Sequence, residues 1–215
     1  METNHFGKMS RRKACAIFDC QGFPIGNAFL IKEMSFMALN SEIPTTLYLQ
    51  LPCAYSNLSR HDRKCVKHSK NMYHGLGFAN MPDDCKFSIA ITKLKEFFRA
   101  ACESQSDATM GYPRGNYHAK NILDNSGIPC ISLDAVGIPK HLEKLGYLPE
   151  DFIPCCRHAT VMLRPFRCTQ LTTYLLAQHM KCSIEKNIYF SPRVQVHVMD
   201  EETLKDPGKL QRETA

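Results

Sequence analysis

One pair of residues constrains this chain more than any other. Lys32-Glu33 sits inside a largely apolar run, Ala28 to Leu39. The run reads as a β-strand, where successive side chains point to opposite faces, so Lys32 and Glu33 are expected to diverge. A carboxylate in such a place is costly unless it is paired or bound to a metal. The fold must therefore bring Glu33 a partner from elsewhere in the chain.

The flanking segments suggest what surrounds that strand. Ala14 to Asp19 is short and apolar, and Cys20-Gln21-Gly22 is expected to turn the chain. Thr45 to Leu51 alternates like a third strand. The connections are too short for parallel crossovers, so these strands should run antiparallel. Asp83 to Cys102 has helical spacing, with Ile89, Leu94, Phe97, Phe98 and Ala101 expected to face inward together. Thr109 to Tyr112 and Ile128 to Leu133 read as further strands. Asn116 can cap a short helix to Leu123. Pro139 to Leu145 reads as another short helix and Thr169 to Met180 as a final, longer one. Antiparallel strands followed by strand–helix–strand crossovers predict an α/β chain with a mixed sheet flanked by helices. The RNase H-like fold has this order.

The domain is expected to span 14–199, between a polar tail at 1–13 and a charged tail at 200–215. The 215 residues can bury a core of their own without a metal or disulfide merely to fold. No apolar run approaches the ~18 residues of a membrane helix. Met1 to Lys13 lacks the apolar core of a signal peptide, so the expected location is the cytosol or nucleus. Eleven cysteines in such a setting are expected to be free, metal-bound or catalytic rather than paired. None sits in a recognisable activated-nucleophile motif.

The next constellation is Cys155-Cys156-Arg157-His158, followed by Cys168. Cys155 and His158 have C-x2-H spacing, short enough for one turn to aim both at one ion. Cys168 follows after a loop that can return a third ligand. Zinc favours tetrahedral thiolate and imidazole ligation, and Glu33 is the candidate fourth ligand. Such a closed site would hold a structural Zn2+. Cys156 is an alternative to Cys155, and Cys65-Val66-Lys67-His68 has the same C-x2-H spacing without the rest.

This set resembles the RNase H-like domain of Maelstrom proteins. That domain carries a Glu on an early strand, then C-x2-H, then a Cys about nine residues on. Asp19, Gln21, Gly22 and Phe23, paired with the later Lys32-Glu33, also look like a stretch shared by uncharacterised invertebrate and mobile-element proteins. The resemblance spans roughly Ala14 to Met180. It implies a fold like that of exonucleases with an Asp-Glu-Asp-Asp site, with those carboxylates lost. It also implies binding of single-stranded RNA, a place in small-RNA silencing of transposons, and cleavage in some members. The chain departs from full-length Maelstrom proteins in carrying no HMG box.

A two-metal nuclease needs clustered carboxylates for hard cations such as Mg2+. Asp19 is the candidate catalytic residue, although it can equally serve a turn. The residue two further on is Gln21, a poor magnesium ligand, and Asp124 and Asp134 complete no convincing set. Any nuclease site is therefore expected to be degenerate.

The polar stretch Asn57 to Met81 reads as a long surface excursion. Arg60, Arg63, Lys64, Lys67 and Lys70 crowd it, with Tyr55 and Tyr73 at its flanks. Cations attract phosphates and aromatic rings stack bases, so this stretch and Arg157 are the candidate contacts for single-stranded nucleic acid. Arg164 and Arg167 can extend that face. A second metal site from His61, Cys65, His68 and His74 is an alternative for the same stretch. The formal charge of +6 agrees with a polyanion partner without requiring one. The rival reading is a catalytically silent protein-interaction module on the same scaffold.

Overall fold

The computed structural model describes residues 13–103, 107–136, 156–158 and 168–185. Cys155, Arg164, Arg167, the 139–145 segment and both tails lie outside the described residues.

Among the described residues, five strands form one mixed sheet in the order β3-β2-β1-β4-β5. They are β1 (Lys13–Ile25), β2 (Ala28–Ala38), β3 (Thr45–Tyr48), β4 (Ala108–Tyr112) and β5 (Cys130–Ser132). β1, β2 and β3 pair antiparallel, whereas β4 lies parallel to β1 and β5 parallel to β4. Among the described residues, four α-helices accompany them: α1 (Arg60–Ser69), α2 (Phe87–Ala101), α3 (Tyr117–Asn125) and α4 (Thr169–Glu185). The chain is thus α/β, a mixed sheet flanked by helices.

The sheet is buried on both faces. Phe18, Met34, Phe36 and Met110 pack with Leu94 of α2 and Leu123 of α3. Ile17 and Met37 pack with Leu176, Ala177 and Met180 of α4. A third cluster joins Phe23 of β1 to Leu58, Val66, Leu76 and Phe78, which seats α1 over the far half of β1.

Four expectations need correction. Cys20-Gln21-Gly22 is not a turn, because β1 continues through it to Ile25. The strand is instead met by a bulge in β2: Gln21 pairs with Glu33 and Gly22 with Ile31, leaving Lys32 as the extra residue. Glycine is required there, since a Cβ on Gly22 would lie 2.0 Å from the Leu30 carbonyl oxygen. The turn comes at Gly26, whose φ of 54° lies in the left-handed region. Second, 57–81 is helical from Arg60 to His74 and irregular only around that. Ser59 caps α1 by accepting from the Asp62 amide, and Lys70–His74 continues it as a π-turn ended by Gly75 at φ 72°. Val66 and Ser69 supply the buried positions that the many cations obscured in the sequence. Third, Ile89 is 47% exposed, and Ala90 takes the inward place beside Leu94 on α2. Fourth, β2 is not regular at Lys32-Glu33: Lys32 is the extra residue of the bulge and pairs with Asp84, whereas Glu33 pairs with His158 of the short helical turn Cys156–His158.

Candidate metal centre and basic cleft

Glu33 is fully buried on β2. His158 reaches it from the Cys156–His158 turn, with Nε2 2.9 and 3.0 Å from its two carboxylate oxygens. Cys168 immediately precedes α4, and its carbonyl accepts the Thr172 amide of the first turn. Ligand atoms of Glu33, His158 and Cys168 all lie within 4.8 Å of one another, and all three residues are buried. The Thr169 amide donates to Glu33 Oε2 at 3.4 Å, so the start of α4 also points its positive end at the carboxylate.

The hydrogen bonding of His158 is informative. Its Nδ1 contacts the backbone carbonyl of His74, an acceptor only. Its Nε2 faces the Glu33 carboxylate, which also accepts. A neutral imidazole carries one N–H and cannot satisfy both. Either His158 is an imidazolium paired with Glu33, or Nδ1–H donates to His74 and Nε2 binds a cation. The second arrangement is the usual support for a metal-bound histidine. Two further buried oxygens lie on residues adjacent to the site in sequence or in strand pairing. Thr169 Oγ1, next to Cys168, and Gln21 Oε1, on the residue paired with Glu33, are buried without hydrogen-bond partners among the described residues. One carboxylate, one imidazole and one thiol are a donor set that suits Zn2+. Cys155, the fourth ligand expected from the sequence, lies outside the described residues.

Lys32 and Arg157 build a separate ionic structure beside this one. Lys32 and Asp84 form a buried ion pair, and Lys32 Nζ also donates to the Leu49 carbonyl at 3.0 Å. Arg157 bonds both Asp83 and Asp84, and its guanidinium lies 3.9 Å from the centre of the Tyr48 ring. Burial pushes the Asp84 carboxyl up, but hydrogen bonds from Lys32, the Met81 amide and Arg157 outweigh it and hold Asp84 below the usual range. Arg157 is thereby neutralised by two carboxylates. These pairs hold the turn that carries His158.

Asp19 lies within β1 at 4% exposure, not in a turn. Its Oδ1 accepts from Asn116 Nδ2 at 2.6 Å and from the Cys20 amide at 2.9 Å. Burial pushes its carboxyl up to about 7. The two hydrogen bonds pull down against this, and the negative charge of Glu33 adds to the rise. Asn116, the cap of α3, is thus also the partner of Asp19, a role its position in the sequence did not signal. Asp124 pairs with Lys120 and Asp134 with Arg114. Neither joins Asp19 in a carboxylate cluster among the described residues.

The basic residues fall on one helix. Arg60, Arg63, Lys64, Lys67 and Lys70 are exposed along α1 and its π-turn, and Tyr73 is 52% exposed. Asp62, the acid within α1, is occupied by Ser59 and the Gly26 amide. Beneath this helix lies a cavity of about 970 Å³ lined by His61, Lys64, His68 and Tyr73 on one side and Phe29 and His118 on the other. Phe29 and His118 stack 3.6 Å apart, nearly parallel. Pairing of β1 to β4 ends at Ile17↔Gly111; beyond it the Cys20 and Gly22 carbonyls accept from Asn116 and His74, and Cys20, Gln21 and Gly22 line this cavity. The strand order reverses between β1 and β4, and such switch points are where open α/β sheets bind ligands. The second-metal alternative loses a member, because both ring nitrogens of buried His74 are used: Nε2 donates to the Gly22 carbonyl and Nδ1 accepts from the Leu76 amide.

No protein-family model matches the chain, and no curated protein matches it in sequence. Among the described residues, no helix is long and apolar enough to cross a membrane.

Proposed function

We propose that the chain is an RNase H-like domain, stabilised by a structural Zn2+, that binds single-stranded nucleic acid. The sheet order and the antiparallel β2 support the fold assignment. The observation that carries the function is the α1 cation row above an aromatic-walled cavity at the switch point of the sheet. Cations there neutralise phosphates, and Tyr73 and the Phe29–His118 stack offer faces for bases.

Zn2+ would be held by Glu33, His158 and Cys168, with Cys155 as the fourth ligand. It would join an early strand to the start of the last helix and take no part in chemistry. Asp19 is a weak magnesium ligand as it stands: near neutral pH it is only partly ionised, and its Oδ1 is bound by Asn116. Binding without Mg2+-dependent cleavage is the expected behaviour. The same chemistry fits a cytosolic or nuclear protein.

The test is anisotropy of a labelled single strand of RNA or DNA titrated with protein at several salt concentrations. Binding should weaken steeply with salt, and Lys64→Glu with Lys67→Glu should weaken it at least tenfold. No anisotropy change at low salt, with the fold intact, would sink this reading in favour of a protein-interaction module.

A further inference from the structure

Two sulfurs far apart in the chain meet at the edge of the core. Cys15 Sγ and Cys102 Sγ are 3.0 Å apart, across 87 residues of sequence. That is about 1 Å beyond the ~2.05 Å of a disulfide.

Local structure holds both in place. Cys15 occupies a bulge in β1, where the pairing to β4 steps from Ala14↔Thr109 to Ala16↔Met110. The step turns Cys15 and Ala16 together toward α2, and Cys15 also approaches the Thr109 carbonyl at 3.4 Å. Cys102 caps the C-terminus of α2, with its amide bonded to the Phe98 and Arg99 carbonyls. Cys15 is buried at 8% exposure, whereas Cys102 is half-buried at the end of its helix.

We propose that Cys15 and Cys102 are a site of reversible oxidative modification that closes to an intrachain disulfide by exchange with a low-molecular-weight disulfide. Cys102, the accessible sulfur, loses its proton and attacks one sulfur of the small disulfide. The first small thiolate leaves and takes up a proton. Cys15 then attacks the Cys102 sulfur, forming the Cys15–Cys102 bond. The second small thiolate departs and receives the proton Cys15 gave up. The protein loses two electrons and two protons, and the small disulfide becomes two thiols. Burial, with the hydrogen bond and charge of Cys102 adding to it, pushes the Cys15 thiol up to about 12. Cys15 alone therefore reacts slowly with oxidants, and the sequence of events begins at Cys102. The closed loop contains β2, β3, α1 and α2, so the bond ties the cleft-bearing half of the domain to the central strand.

The experiment uses the full chain, reduced and then equilibrated in glutathione buffers of rising disulfide-to-thiol ratio. Peptides are mapped without reduction, and thermal unfolding is followed in parallel. A linked Cys15–Cys102 peptide should appear ahead of other pairings, and Tm should rise by roughly 10 °C. Cys102→Ser should abolish both changes, and it carries the test even if Cys15→Ser fails to fold. Absence of the linked peptide at the most oxidising ratio, with native circular dichroism, would overturn the proposal. So would an equal yield in urea-unfolded chain, since the fold would then contribute nothing. The mapping is independent of nucleic-acid binding and of metal content.

Discussion

His158 is held between two acceptors, and that arrangement makes it the most sensitive residue of the candidate site. Removing its ring takes a principal partner from the buried Glu33 carboxylate. His158→Ala is expected to cost about 3–5 kcal/mol, read from urea unfolding, and to lower bound zinc measured by plasma mass spectrometry. Retained stability would show that Glu33 does not depend on this partner. Asp19 makes a pH-dependent contribution of the opposite kind to a salt-bridged acid. Its folded pKa of about 7 lies above the ~3.9 of an unfolded Asp, so the native state binds the extra proton. Below about pH 4 both states are protonated and the effect vanishes. Stability falls as pH rises from about 4 to about 7, then stays level, a loss on the order of a few kcal/mol. Asp19→Asn keeps an oxygen for Asn116 and the Cys20 amide and removes the titration. Denaturation midpoints of this variant should change less between pH 5 and pH 8 than those of the parent; parallel curves would refute the assignment.

At the scale of elements, the β1–β2 ribbon depends on its bulge. Gly22→Ala would drive a methyl into the Leu30 carbonyl, backbone against which nothing flexible can yield. The ribbon must open there, and a loss above about 3 kcal/mol is expected by chemical denaturation. The extra residue of the bulge, Lys32, is tied to Asp84, which is tied in turn to Arg157 and the turn bearing His158. Lys32→Met removes one side of a fully buried ion pair and leaves Asp84 with Arg157 and the Met81 amide. A loss of about 3 kcal/mol is expected, together with weaker zinc retention because the turn is less firmly held. A neutral outcome in both readouts would mean that Arg157 suffices. At the same scale α1 explains why a basic stretch can be mistaken for a loop. Its apolar residues are few, and Val66 does its burying next to Leu58, Leu76 and Phe78 from outside the helix.

On the scale of the whole molecule, the candidate centre connects β2 to the start of α4 and, through the His74 carbonyl, to the end of the α1 segment. Stripping the metal with a chelator is expected to lower Tm by several degrees and to lessen nucleic-acid affinity only indirectly, since α1 carries the cations. Unchanged Tm in a protein that contained zinc beforehand would separate the metal from stability. Much of this architecture was legible in the sequence. Strand and helix periodicities, the Asn116 cap and the charged pair inside β2 are local signals, because they follow from side-chain alternation and backbone hydrogen bonding within a few residues. Glu33, His158 and Cys168 could be singled out by residue type and order. Their convergence could not, since contacts across 125 residues depend on how the layers pack. The same limit hid the bulge at Lys32, the Asn116–Asp19 bond, the Arg157–Asp84 clamp and the Cys15–Cys102 approach. Sequence by itself determined the elements and the chemistry available to them. Tertiary structure alone decided which charges are neutralised and which sulfurs meet, because burial and long-range pairing are properties of the packed sheet and not of any one segment.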